Sequence, residues 1–219
     1  MKVYLLIVSL FCMVFLSAQT AESIIQNHLE NSGGIKNWKG LNSIILKGDA
    51  ILGVEQSFPL VVYHRRPYQK KVVFLVKGKE LLNEGYDGQN GWTYNEISGK
   101  NEIMKSYQPD SFDDDILDYK KKGFEATYIG KTKSDEKECY QIVLKKHTNQ
   151  TTYCFSTTDY SLLWEENKDE RLYYYNYKKF DGLAFATKII GQPKNGGEYV
   201  LQFSTIYINP AIEDGVFKF

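Results

Sequence analysis

The sequence predicts a mainly β chain, an unclosed antiparallel β-barrel of about ten to eleven strands, with an N-terminal helix and a short inserted helix as lid. Three observations carry that expectation. Seventeen tyrosines and twelve phenylalanines give the chain a bias that favours strands and surfaces apolar at the centre and wet at the edge. Short runs rich in β-branched and aromatic residues recur, separated by Asp-Gly, Asn-Gly and Gly-Gly turn signals. Only two segments interrupt that rhythm with helical spacing, too few to cover a flat sheet of such width, and a sheet this wide curls.

In order along the chain, Met1-Lys2 is followed by VYLLIVSLFCMVFL and then by Leu16-Ser17-Ala18-Gln19. A basic start, an apolar run and a small-residue end make a secretory signal peptide, residues 1–18, cleaved near Ala18. The rival is an uncleaved anchor, but the run falls short of the roughly 17–25 residues a span needs. Cys12 lies inside the run after bulky Phe11, a poor context for a lipid-modified cysteine. The mature chain, residues 19–219, is therefore expected to be exported, as one domain without linker, repeat or low-complexity segment.

Thr20 is the expected N-cap of the first helix, with Glu22 in its first turn and Ile24, Ile25, His28 and Leu29 on one stripe. Gly33-Gly34 ends it, and a turn presents Ile35 and Trp38. Strands are expected at 43–52 and 56–64. A hairpin from Arg65 to Tyr94 follows, entered through Pro67 and turning at Asp87-Gly88 and Asn90-Gly91. Gly99-Lys100-Asn101 marks another turn. The segment SYQPDSFDDDILDYKKKG, residues 106–123, has proline and acids before lysines, the charge order of a short helix with Phe112, Ile116 and Tyr119 on its apolar side. Strands resume at 124–129, 139–144, 151–155, 161–165, 172–180, 183–190 and 199–208.

Charge and motifs exclude several functions. Lys+Arg and Asp+Glu both number 27, so nothing points to nucleic acid. His28, His64 and His147 stand at no metal-binding interval, and no HExxH or GxSxG occurs. The acids Asp110, Asp113, Asp114, Asp115 and Asp118 lack the glycine and terminal glutamate of a calcium loop and read as a solvated helix start. No nucleophile comes with a base and an orienting group, so no catalytic residue, metal or cofactor is expected. Asn149-Gln150-Thr151 matches a glycosylation acceptor, without meaning in a bacterial host. In an oxidising compartment Cys139 and Cys154, flanking a hairpin, permit a cross-strand disulfide and equally permit two buried thiols.

Arg66-Pro67-Tyr68-Gln69-Lys70-Lys71 is similar to the arginine–proline strand of the bacterial outer-membrane lipoprotein carriers of LolA/LolB type. YDGQNGWTYN, residues 86–95, resembles their Asp-Gly-x-x-x-Trp-x-Tyr hairpin. NSGGIKNW, residues 31–38, and INPAIEDGVFKF, residues 208–219, resemble exported members of this superfamily from Bacteroidetes-like organisms. The resemblance implies an unclosed barrel with a helical lid whose interior takes acyl chains, and makes Arg66 the lid contact. Lys70 stands where the enterobacterial carrier has an aromatic residue.

Alternation along the strands marks Phe58, Leu60, Val62, Val72, Phe74 and Val76 as candidates to line an apolar cavity, joined by Trp92 and Tyr94. The expected function is that of a monomeric periplasmic carrier sheltering lipoprotein acyl chains or another apolar ligand. It would be served by membrane-bound donor and acceptor proteins. Extracellular or outer-membrane-associated placement is the variant of this reading. The alternatives are a periplasmic sensor or regulatory domain of the same fold acting through a protein partner, and a hydrolase with scattered residues.

Overall fold

The computed structural model describes residues 19–53, 56–109 and 115–219. Helix α1 spans Ala21–Asn31 and opens as expected at Thr20. The Thr20 hydroxyl accepts the Ser23 N–H at 3.1 Å, and the Ser23 hydroxyl accepts the Thr20 N–H at 3.1 Å, so two orphan donors are satisfied reciprocally. Ile24, Ile25 and Leu29 are buried. Gly33 and Gly34, at φ of 134° and 89°, end the helix. The expected turn after them is instead a short helix, α2, Ile35–Gly40. Six residues are too few to display a helical period in sequence.

Thirteen strands follow: β1 Ser43–Leu52, β2 Gln56–Arg65, β3 Gln69–Val76, β4 Lys79–Tyr86, β5 Gly91–Asn95, β6 Lys100–Met104, β7 Glu125–Ser134, β8 Lys137–Lys146, β9 Asn149–Ser156, β10 Leu162–Glu166, β11 Glu170–Phe180, β12 Leu183–Pro193 and β13 Tyr199–Ile208. They form one antiparallel sheet in the order β6-β5-β4-β3-β2-β1-β13-β12-β11-β10-β9-β8-β7. The sheet is unclosed, because β6 and β7 are its two ends, and the class is the one expected. Thirteen strands exceed the expected number. The Arg65–Tyr94 hairpin resolves into three strands, with an added turn at Lys77-Gly78, both at positive φ.

The expected inserted lid helix is a second departure over its described part. Residues 115–123 form successive turns, and 110–114 lie outside the described residues, so Phe112 and three of the five acids are not placed. Asp118, at φ 54°, breaks helical continuity before the lysines are reached. Its carboxylate pairs with Lys39 of α2 at 2.9 Å, and the hydrogen bond from Lys39 holds it below the usual carboxylate range.

The face of the sheet that carries α1, the inner face, is divided. Over β7–β10, α1 and the turn segment seal a core of Ile24, Ile25, Leu29, Ile116, Tyr140, Ile142, Leu144, Tyr153 and Phe155. Burial of such side chains contributes roughly 1.5–3 kcal/mol each. His28 joins this core. Its ring lies 4.8 Å from that of Phe155, and its Nδ1–H donates to the Tyr160 carbonyl at 2.8 Å. Burial pushes its pKa down to about 4, and only the bond to Tyr160 acts in the opposite direction.

On the outer face, Cys139 and Cys154 are bonded, with Cα atoms 5.5 Å apart, beside Leu163 and Trp164. The C-terminal segment crosses the outer face of β3–β5. There Phe217 is buried under the Arg65 guanidinium, 5.0 Å from the ring, while Arg65 also donates to Ile212 O at 2.8 Å.

Candidate functional site: the apolar inner face of β1–β3 and β12–β13

Three adjacent pairings fix which side chains share this surface. Across β13, β1, β2 and β3 the register aligns Ile206, Leu46, Val62 and Val72 in one row, and Phe203, Gly48, Leu60 and Phe74 in the next. Leu201, Ala50 and Phe58 make a third row. Residues two apart along a strand face the same side, so the rows stack into a continuous apolar surface. Phe185 and Ile189 of β12 extend it.

This cluster differs from the helix-covered one in its composition and exposure. Among the described residues, every member lies on a strand. Ile44, Ala50, Leu60, Phe203 and Ile206 are buried, but Leu46, Phe58, Val62, Val72, Phe74, Phe185, Ile189 and Leu201 are only half-buried. The edge of Trp38 against Phe185, centroids 5.3 Å apart, is where α2 meets this surface. A half-buried sheet of aliphatic and phenyl groups can dock an apolar chain by area alone, without directional bonds.

The surface ends in a polar row. His64 pairs across the strands with Ile44 and Lys70, and Lys70 with Tyr86. Lys70 donates to Glu84 at 2.9 Å, and the Tyr107 hydroxyl donates to the same carboxylate. The Tyr107 ring stacks on Tyr86 with centroids 5.6 Å apart, and it occupies the space a Cβ at Gly91 would need. Lys70 therefore stands at the polar boundary of the apolar surface, paired with a carboxylate.

Of the residues singled out in sequence, Phe58, Leu60, Val62, Val72, Phe74 and Val76 share this inner face. Trp92 and Tyr94 do not. Trp92 pairs with Gly85, and a Cβ on Gly85 would run into the Phe219 ring on the outer face. The Trp92 ring lies 6.1 Å from Phe219, and its Nε1–H donates to Asp87 at 2.8 Å. A register shift in β4 contributes: Val72 faces Glu84 while Val73 faces Leu82, so Asn83 is an extra residue and the facing alternation changes phase. Alternation inside one strand carries no information about such a shift in its neighbour. Sequence reasoning also missed Leu46, Leu201, Phe185 and Ile189. Those strands were visible, but the β1–β13 pairing that brings them beside β2 joins residues far apart in the chain.

Arg66 lies at the end of α2. Its Nη2 donates to the Trp38 carbonyl at 3.2 Å, its Nε to the Leu41 carbonyl, and its own N–H to the Asn42 carbonyl at 2.9 Å. A guanidinium on the last carbonyls of a helix satisfies acceptors that have no partner within the helix. Among the described residues no three His, Cys, Asp or Glu side chains converge.

No family model matches the sequence, and no curated protein matches it. Solved structures do share its fold. An outer membrane lipoprotein-sorting protein domain from Vibrio parahaemolyticus superposes with a TM-score of 0.59 at 14% identity, over 90% of this chain and 97% of that one. A LolA-superfamily protein from Nitrosomonas europaea gives 0.60 at 14% identity, over 92% and 98%. A DUF1329-family protein from Desulfovibrio piger gives 0.62 at 12% identity, over 90% and 97%. The chain thus has the LolA-superfamily fold, as the arginine–proline strand and the Asp-Gly hairpin led one to expect. Among the described residues no helix is long and apolar enough to cross a membrane.

Proposed function

We propose that this chain is an exported carrier that shelters acyl chains of lipoproteins, or a ligand of similar apolarity, against the inner face of β1–β3 and β12–β13. One observation carries the reading: helices and turns seal one half of the inner face, while the other half presents half-buried aliphatic and phenyl groups. Each methylene laid on that surface contributes ~0.8 kcal/mol when fully buried, so a single acyl chain supplies useful affinity without a polar anchor. A fold shared with a lipoprotein-sorting domain supports the same reading. Residues 1–18 as a cleaved signal peptide would place the mature chain in the periplasm, working with membrane-bound donor and acceptor proteins. Arg66, holding α2 at the rim of the surface, is the side chain through which helix position would respond to an occupied groove. Its role is to position, and the protein's role is to bind rather than to catalyse.

The test is displacement of a fluorescent fatty acid from purified mature protein, with native mass spectrometry of material taken from its own envelope. Micromolar competition by long acyl chains and a co-purifying lipid mass are expected. A protein that leaves the probe in solution and carries no extractable lipid would refute the proposal.

A further inference from the structure

One charge stands unpaired beside the apolar surface. Lys178 of β11 lies directly opposite Phe185 of β12, and Phe180 follows two residues along the same strand. Cross-strand partners, and residues two apart in a strand, face one side of a sheet, so the lysine shares the inner face with both rings. Those rings belong to the apolar surface, with centroids 6.4 Å apart. Lys178 is exposed, and among the described residues it has no ion pair, hydrogen bond or ring contact. Lys70, also at the margin of this surface, is instead paired with Glu84.

Two cavities adjoin the lysine. The first, about 490 Å³, lies between the end of α1, the β9–β10 turn and β11, with Thr158, Asp159 and Lys179 in its lining. The second, about 630 Å³, is lined by Asp49, Thr187, Gln202 and Phe203. Phe203 is also a member of the apolar surface, so the space around the lysine adjoins it. The Asp159 carboxylate is committed to its own turn, accepting the Ser161 N–H at 3.1 Å and the Ser161 hydroxyl at 2.8 Å. Among the described residues neither Asp159 nor Asp49 forms an ion pair with Lys178, and Lys179 adds a second positive charge to the first cavity.

A hydrocarbon laid across Phe185 and Phe203 takes water from the neighbouring ammonium, and an unpaired charge that loses its water is costly. An oxyanion at the end of that hydrocarbon offsets the cost, because it gives the ammonium a charge-assisted hydrogen bond. We infer that Lys178 selects, among ligands of the apolar face, amphiphiles with an acidic head: an acyl or alkyl chain ending in a carboxylate or a phosphate. The inference rests on the acyl-binding reading above and narrows it. The head lies at Lys178, and the chain runs from Phe185 over Phe203 and Leu60 towards Phe58.

Four probes of equal chain length test it: myristate, tetradecyl phosphate, tetradecanol and tetradecyltrimethylammonium. Each is titrated by calorimetry at about pH 8, where a carboxylate is ionised. Both acids are expected to bind about tenfold more tightly than tetradecanol, the worth of one charge-assisted hydrogen bond, and the trimethylammonium more weakly than the alcohol. In K178M, which keeps the apolar stem and removes the charge, the ratio of acid to alcohol affinity should fall towards one. In K178E the trimethylammonium should bind better than the acids. If neither variant folds, the parent's ranking of the four probes decides. An advantage of one acid alone supports the inference and identifies the head. Equal binding of acids and alcohol by the parent overturns it and leaves the acyl reading intact, since the lysine then swings into water as a ligand arrives. An acid preference that survives in K178M also overturns it. Absence of binding by every probe removes both.

Discussion

His28 shows how one side chain can set an acid limit on the fold. The imidazole has an unfolded pKa near ~6.5, and burial against Phe155 and Tyr160 lowers it to about 4 in the folded chain. Between those values the unfolded chain binds the additional proton, so stability is complete above the unfolded pKa and declines as pH falls towards the folded one. The loss from this residue is at most ~3 kcal/mol. The expected result is a urea midpoint that drops between pH 7 and pH 4.5 in the parent and drops clearly less in His28→Gln. Parallel pH profiles for the two proteins would contradict the assignment. A second residue acts through space rather than charge. A Cβ at Gly48 would lie 2.0 Å from the Gln202 carbonyl oxygen and 2.7 Å from Phe203 Cα, both backbone. Gly48→Ala should cost ~3 kcal/mol. At Gly85 the obstacle is the Phe219 ring, a side chain able to move, so Gly85→Ala should cost visibly less in the same melts. His28 was legible in sequence because its neighbours Ile24, Ile25 and Leu29 define a buried stripe. Gly48 was not, because a glycine in a strand does not announce which backbone approaches it.

Two elements carry most of the outer-face order. The β8–β9 hairpin is closed by the Cys139–Cys154 bond at a sequence separation of 15. Cross-linking a loop of that length stabilises by ~3 kcal/mol through the unfolded chain. Reduction, or paired Cys→Ala substitution, should lower the thermal midpoint by several degrees while leaving the strand content seen by circular dichroism unchanged; an unchanged midpoint would show the bond to be dispensable. The C-terminal segment is the other element. Phe217, 2% exposed, and Phe219 against Trp92 pin it across β3–β5. Phe217→Ala should cost ~3–5 kcal/mol and shift Trp92 emission to the red as the segment lifts. At this scale most strands were legible to within two or three residues, since alternation and turn glycines are local signals, but β7 runs on to Ser134, past the expected 129, and β6 begins at Lys100, where a turn was expected. The described part of the inserted segment, 115–123, was not, since it forms turns where a helix was expected. Its charge order satisfied helix rules, but Asp118 takes a left-handed conformation to reach Lys39, a partner remote in sequence.

Over the whole molecule, the proposed function rests on an uneven division of one sheet. Thirteen strands offer more inner surface than one three-turn helix, α2 and a turn segment can cover. On the proposed reading the covered half stabilises the fold, and the half left open among the described residues takes the ligand. That division predicts opposite outcomes for the same chemical change. Leu144 is fully buried beneath α1, so Leu144→Asp places a charge in a closed apolar core and should abolish folding, a cost beyond ~4 kcal/mol. Val72 is half-buried in the open cluster, so Val72→Asp keeps water within reach of the carboxylate and should cost about 1 kcal/mol. It should nevertheless weaken acyl binding at least tenfold, because a ligand laid across Val62 and Phe74 would strip that water away. Fatty-acid displacement and urea unfolding on the two variants separate the outcomes. A Val72→Asp protein that binds as the parent does would mean the ligand lies elsewhere. One that fails to fold would mean the open half is part of the structural core. The sheet halves could not be told apart from sequence, where β2 and β8 read alike as alternating strands. The difference between them lies in which half of the inner face α1 covers, and α1 packs over β7–β9, strands remote from it in sequence.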